Sequence, residues 1–229
     1  MRDLGDTTAY LRRGMREILC LALFFFTFLA CEYFFDARMA EFVPSSEVVI
    51  YESIVVGASV IGFFVRPFLY YRRPQTIDAT SDITGVLLVS ALLLMIMAVR
   101  FEVVIAGGLV ACCALGYCGS TAHANLARRF AQTPCLARTV AVSYAVGILV
   151  QVLNHMVMPA GIPQQSVLIA CAIALVGCFT VSAALNCVMS LRPSSRSRLP
   201  SYRSMRRSVA PGGTMTPRQR RPFRVPWCV

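Results

Sequence analysis

Hydrophobic residues form six long, nearly uninterrupted runs along the chain, separated by short polar segments. Each run is long enough to cross a hydrocarbon core of about 30 Å at about 1.5 Å per helical residue. None of the runs alternates apolar and polar residues, so helices rather than lipid-spanning strands are expected. The predicted spans are Ile18 to Phe35, Val48 to Phe64, Ile83 to Val99, Val103 to Asn125, Thr139 to Val157 and Val167 to Met189.

Arginine placement predicts the orientation of these spans. Basic segments precede the first span, follow the second and separate the fourth from the fifth. The connection after the first span is acidic, the one after the third holds only Arg100 beside Glu102, and the one after the fifth has no charge. The basic segments contain Arg2, Arg12, Arg13, Arg16, Arg66, Arg72, Arg73, Arg128, Arg129 and Arg138. Because positively charged short loops stay in the cytoplasm, both termini are predicted to be cytoplasmic. The expected fold is an all-α polytopic protein of the cell membrane, the bacterial inner or plasma membrane, with six transmembrane helices.

Composition supports a membrane protein and argues against other classes. Hydrophobic residues make up 57% of the chain and charged residues only 14%, which is too apolar for a water-soluble or disordered protein. Most of the ten cysteines lie inside apolar runs, and no C-x-x-C pattern occurs, so they are interpreted as small packing residues. We therefore expect no metal and no cofactor.

The chain is predicted to have three parts. A cytoplasmic segment, residues 1–17, precedes the helical domain of residues 18–190, and an Arg-, Ser- and Pro-rich tail covers residues 191–229. The first run could serve as a cleaved signal peptide, but the five further runs favour a retained helix. The tail is expected to be disordered. It is either a patch that binds anionic lipids or a frame-shifted or truncated end, and no nucleic-acid partner is expected.

Polar residues inside the spans are the candidates for ligand binding. Glu32 lies in the outer half of the first span with Asp36 one turn further, and Glu52 lies near the outer end of the second. Glu32 and Asp36 are either a pair that responds to protons or cations or simply a wetted helix end. Gln151 and His155 lie one turn apart on the outer half of the fifth span. If a ligand site exists, we expect Glu32, Glu52, Gln151 and His155 to line it.

The two histidines are predicted to lie far apart. The fourth span runs inward and places His123 near its cytoplasmic end, whereas the fifth runs outward and carries His155 near the outside. They cannot share a metal ion. We interpret His123 as an interfacial residue rather than a ligand.

Small residues recur at intervals of four along the fourth span, which is typical of close helix packing in membranes. Gly108, Gly116 and Ser120 are the residues expected to make such contacts. Spacing pairs no nucleophile with a base, and no glycine-rich phosphate loop or H-E-x-x-H pattern occurs. The protein is therefore not expected to be an enzyme.

Two motifs suggest a family. Gly62-Phe63-Phe64-Val65-Arg66 continues to Tyr71-Arg72-Arg73, which resembles the Gly-x-x-x-Asp-Arg-x-Gly-Arg-Arg loop after the second helix of major facilitator superfamily transporters. The aspartate and second glycine of that loop are absent. The patch from Leu115 to His123 is similar to the glycine-rich fourth helix of facilitator-like membrane regions that precede LuxR-type helix-turn-helix domains. The resemblance covers about residues 15–190.

This resemblance implies the N-terminal six-helix half of a facilitator. The chain would then act as a transport-type or small-ligand-sensing module in the lipid bilayer, paired with a second copy or with a separately encoded second half. The alternative is a truncated or non-transporting membrane interaction protein.

Overall fold

The computed structural model describes residues 14–73, 76–130, 135–157 and 162–191, without the side chains of residues 78, 162–163 and 181–191. These residues form helices and no strands. The six helices are α1 (Met15–Met39), α2 (Ser45–Arg72), α3 (Ile77–Met97), α4 (Phe101–Phe130), α5 (Leu136–Val157) and α6 (Ile162–Leu191).

The all-helical prediction is confirmed within these residues, and each predicted span falls on one observed helix. Most helices extend beyond the apolar runs that predicted them. Helix α2, for example, continues through Pro67 to Arg72. Only α3 ends early, because Ala98 adopts an extended backbone and Val99 lies outside the helix. Helices α1 to α5 contain segments long and apolar enough to cross a membrane, while the apolar part of α6 among the described residues is Gln164–Thr180. Long apolar helices of this kind indicate a membrane-embedded protein.

Consecutive helices α1 to α4 run in alternating directions. Gly14, before α1, lies against the ring of Phe130 at the end of α4. At the opposite end, the rings of Tyr51 and Phe101, near the starts of α2 and α4, meet at 5.1 Å. We call the end of the helices at Gly14 and Phe130 the arginine end, because it carries Arg72 and Arg128–Arg129. We call the opposite end the acidic end, which carries Asp36, Glu41, Glu47, Glu52 and Glu102. The predicted termini of residues 1–13 and 192–229 lie outside the described residues.

The helix packing repeats between the two halves of the chain. Helix α4 packs along α2, and in the same way α1 packs along α5, while α1 and α4 contact each other. Helix α3 packs on α4, and correspondingly Arg16 of α1 donates a hydrogen bond to the Cys178 carbonyl of α6 at 3.2 Å. Exchanging α1–α3 with α4–α6 therefore preserves the α2–α4 and α1–α5 pairings, while the α3–α4 packing is matched by one hydrogen bond between α1 and α6. Helix α1 begins at the arginine end and α4 at the acidic end, so the two sets start at opposite ends.

Burial follows the same relation. The central segments of α1 and α4 are 61% and 56% buried, whereas those of α2 and α5 are each only 17% buried. Leu21 and Phe35 of α1 and Leu115 and Leu126 of α4 are enclosed in the core. Exposed apolar residues cover α2 and α5 instead, among them Ile61, Phe64 and Leu149. Helices α1 and α4 thus form the centre, and α2 and α5 present apolar surfaces outward.

Candidate functional site

The acidic end holds two carboxyl groups from different helices. Glu32 of α1 and Glu52 of α2 are both half-buried, and their carboxyl groups are close enough to interact. Asp36 lies one turn beyond Glu32, and its buried Oδ1 has no hydrogen-bond partner among the described residues. Three carboxyl groups from two helices are thus brought together at the acidic end.

Gln151 and His155 lie against another side of α1. The His155 ring meets Tyr33 edge-on, with 4.3 Å between the ring centroids. Gln151 is half-buried, and its buried Oε1 has no hydrogen-bond partner among the residues described. Successive helical side chains such as Glu32 and Tyr33 diverge by about 100° around the axis. The four predicted site residues therefore form two groups, Glu32 with Glu52 and Gln151 with His155, on different sides of α1.

His123 is held by hydrogen bonds from two helices. Its Nδ1 lies 2.7 Å from the carbonyl oxygen of Gly119, one turn back along α4. A carbonyl only accepts hydrogen bonds, so Nδ1 carries the proton and donates it. Its Nε2 lies 2.5 Å from the Tyr144 hydroxyl of α5, which can donate or accept a hydrogen bond. The imidazole is thus held at both ring nitrogens and bridges α4 and α5.

Aromatic rings surround this histidine. The rings of Phe24 and Phe63 approach His123 edge-on, with centroids 6.3 and 5.8 Å away. Phe25 stacks on Tyr144 at 4.5 Å. Together these groups line a cavity of about 300 Å³ between α1, α2, α4 and α5, which we call the His123 cavity. Its lining comprises Phe24, Phe25, Phe28, Ser59, Val60, Phe63, Gly116, His123 and Tyr144.

The His123 cavity and the carboxyl pair lie on continuous helix faces. Phe28, which lines the cavity, is one turn from Glu32 on α1, and Ser59 is two turns from Glu52 on α2. The carboxyl groups of Glu32 and Glu52 therefore lie beside the His123 cavity, on the side toward the acidic end. A cation is attracted both by carboxylates and by the faces of aromatic rings, whereas an anion is repelled by both. This arrangement is suited to a small apolar molecule that carries a positive charge.

The sequence predicts an interfacial position for His123 but does not reveal its contact with Tyr144. The two residues are separated by 21 positions and belong to different helices. One signal was present: Phe24 and Phe28 are one turn apart, so they form an aromatic face on α1 that leads to Glu32.

A second, larger cavity of about 490 Å³ lies between α1, α5 and α6. Its lining is almost entirely apolar, with Leu19, Phe26 and Val150 among the residues and Asn154 as the one amide side chain. Such a surface matches hydrocarbon chains better than a polar ligand.

The predicted packing residues lie at helix contacts. A Cβ atom on Gly108 would come within 2.7 Å of the Phe35 ring, and one on Gly116 within 2.8 Å of the Ser59 carbonyl carbon. Ser120, one turn further, is buried. Small side chains at these positions therefore allow α4 to approach α1 and α2 closely.

Comparison with known proteins adds no relative. No family model matches the chain, and neither a curated protein nor a solved structure matches it.

Proposed function

We propose that the protein is a transport-type membrane module, resembling half of a facilitator, that binds a small hydrophobic cation in the His123 cavity. The observation that carries this proposal is the cavity itself, which is lined by four phenylalanines and by His123, whose ring is hydrogen-bonded to Tyr144. The Glu32–Glu52 contact would attract the charged ligand at the acidic end and exchange a proton as the ligand enters.

The repeated helix packing supports the facilitator-like part of the proposal. Two three-helix sets of opposite topology, with α1 and α4 central, are the arrangement found within each half of facilitator transporters. The His123 cavity lies between α1 and α4 and is flanked by α2 and α5, the two least buried helices. We infer that a second unit covers this side, either another copy of the chain or a separately encoded half.

Native mass measurement in mild detergent should then yield a dimer or a defined complex, and a uniformly monomeric protein that still binds ligand would contradict the inferred second unit.

Binding of tetraphenylphosphonium, a hydrophobic cation, tests the ligand class. Phe63 lines the cavity, whereas its neighbour Phe64 is 66% exposed and is not part of the lining. Phe63→Leu should weaken binding by about 3- to 30-fold, the range expected for losing one cation–π contact. Phe64→Leu, the matched control, should leave the affinity within about twofold, since only a lipid-side contact changes.

Binding and uptake of tetraphenylphosphonium also test the role of the Glu32 carboxylate and distinguish transport from ligand sensing. Glu32→Gln should weaken binding more at low than at high salt, because screening shortens the reach of the carboxylate. Asp82→Asn on α3, which removes an acid near the arginine end, is the control.

Uptake into vesicles driven by a pH gradient would support transport, and saturable binding without uptake would support ligand sensing. Absence of saturable binding, or equal losses in both phenylalanine variants, would contradict the proposal and favour a non-transporting interaction protein.

A further inference from the structure

Arg66 is a buried cation on the face where α2 meets α4. Its side chain is only 5% exposed, whereas the next three residues along the chain, Pro67 to Leu69, are exposed or half-buried. Its Nε is buried and has no hydrogen-bond partner within the described parts of the chain. Among the described residues, no carboxylate forms a salt bridge with Arg66. A buried guanidinium without a counter-charge is costly, so its surroundings should indicate what neutralises it.

The groups around Arg66 are donors and a second cation. Tyr117 of α4 lies beside this part of α2, because a Cβ atom on Gly62, one turn before Arg66, would come within 3.1 Å of the Tyr117 backbone nitrogen. Tyr117 is 4% exposed, and its hydroxyl is also buried, with no hydrogen-bond partner in the part of the chain that the structure describes. The Arg128 guanidinium lies 5.1 Å from the centre of the Tyr70 ring, which keeps it beside α2. Gly62, Arg66 and Tyr70 follow one another at intervals of one turn on α2, so the two guanidinium groups and the buried Tyr117 hydroxyl lie close together between α2 and α4.

The position of Arg66 along α2 indicates the level in the membrane at which a group bound to its side chain would lie. Helix α2 has 28 residues. At about 1.5 Å per residue it is about 42 Å long, so a centred hydrocarbon core of about 30 Å would end about 6 Å before each terminus. Arg66 lies six positions before Arg72, or about 9 Å along the axis. Its long side chain can therefore reach the level of the lipid phosphates at the arginine end.

We propose that Arg66, Arg128 and Tyr117 form a binding site for a phosphate group between α2 and α4 at the arginine end. A phosphate offers several acceptor oxygens, so it can accept from the Arg66 Nε–H, the Tyr117 O–H and the Arg128 guanidinium together. The planar guanidinium matches phosphate geometry. An anionic lipid headgroup and free inorganic phosphate present the same chemistry, and the experiment separates them.

The experiment uses the full-length protein in a neutral detergent. Short-chain phosphatidylglycerol or inorganic phosphate is titrated at constant ionic strength, and thermal unfolding is followed by circular dichroism. Arg66→Gln and Tyr117→Phe alter the site. Arg72→Gln is the matched control, because Arg72 is exposed on the same helix and lies over the Phe68 ring at 5.3 Å. It removes the same charge from the same end of α2.

Phosphatidylglycerol should stabilise the wild-type protein, and Arg66→Gln should raise the required concentration by about tenfold or more, as for a lost charge-assisted hydrogen bond. Tyr117→Phe should raise it by about threefold or more, and Arg72→Gln by less than about twofold. An Arg66-dependent effect of the lipid alone identifies a headgroup as the occupant, and an equal effect of inorganic phosphate identifies the free ion. Equal shifts for Arg66→Gln and Arg72→Gln, or no dependence on Arg66 with either ligand, would overturn the site. Should Arg66→Gln not fold, an unchanged requirement in Tyr117→Phe would overturn it.

Discussion

Gly62 of α2 and Gly116 of α4 face each other where the two helices approach most closely. A Cβ atom on Gly62 would collide with the carbonyl of Cys113, and one on Gly116 would collide with the carbonyl of Ser59. In both cases the obstacle is backbone, which cannot move aside as a flexible side chain can. The two glycines therefore set the distance between α2 and α4, and with it the width of the His123 cavity, to which Gly116 contributes.

Gly62→Ala should destabilise the protein by about 1 to 3 kcal/mol, because the added methyl group overpacks a rigid contact. Gly57→Ala is the matched control on the same helix, since a Cβ atom at Gly57 would meet nothing within 4 Å. This control should be neutral or stabilising by up to about 1 kcal/mol. Thermal unfolding in detergent measures both. Equal effects of the two substitutions would show that α2 and α4 are not in close contact at Gly62.

Gly147 of α5 makes a similarly close contact with the backbone of α1. A Cβ atom on Gly147 would lie 2.8 Å from the Ala22 carbonyl oxygen of α1, whereas one on Gly177 would meet no described atom within 4 Å. Gly147→Ala should therefore destabilise the protein by about 1 to 3 kcal/mol and Gly177→Ala should not. The same unfolding measurement applies. A harmless Gly147→Ala would argue that the α1–α5 contact differs from the α2–α4 contact.

The sequence predicted the helices well and the candidate site only partly. Apolar runs locate helices because the length of a span is set by the membrane, but polar residues such as Arg72 can continue a helix beyond the run. Glu32 and Glu52 were both singled out, and the structure brings them together. The contact of His123 with Tyr144 was missed, because it depends on how α4 and α5 rotate against each other and periodicity within one helix does not determine that rotation.

The bond between His123 and Tyr144 should be measurable as a coupling energy. A double-mutant cycle of His123→Ala and Tyr144→Phe should give a coupling of about 0.6 to 1.7 kcal/mol, the range for hydrogen bonds between membrane helices. Tyr33→Phe is the control, because the contact of Tyr33 with His155 uses the ring, which phenylalanine retains. A coupling near zero would mean that the hydroxyl does not hold the imidazole.

Arg38 joins the acidic ends of α1 and α3. Its Nη2 donates a hydrogen bond of 2.5 Å to the carbonyl of Ala98, the residue that caps the C-terminus of α3, and its Nη1 lies 2.6 Å from Glu41. Arg38→Gln should cost about 1.5 to 3 kcal/mol, because a charged donor to an otherwise unpaired helix-end carbonyl is lost. Glu41→Gln should cost less than about 1 kcal/mol, since the Glu41 side chain is 56% exposed and the ion pair is screened by water. Unfolding of the two variants at low and high salt distinguishes the contributions, and equal losses would contradict this ranking.

The number of membrane crossings depends on α6. Its backbone is helical over 30 residues, Ile162–Leu191, which corresponds to about 45 Å and exceeds the hydrocarbon thickness of about 30 Å. Arginine placement predicts that α4 ends in the cytoplasm, so a reporter fused after Phe130 should be active there and one inserted at Gly161 should report the exterior. A reporter fused after Arg192 then distinguishes six membrane crossings from five. A cytoplasmic signal is expected because six spans return the chain to the side on which it began, whereas an exterior signal would leave α6 outside the bilayer and reduce the crossings to five.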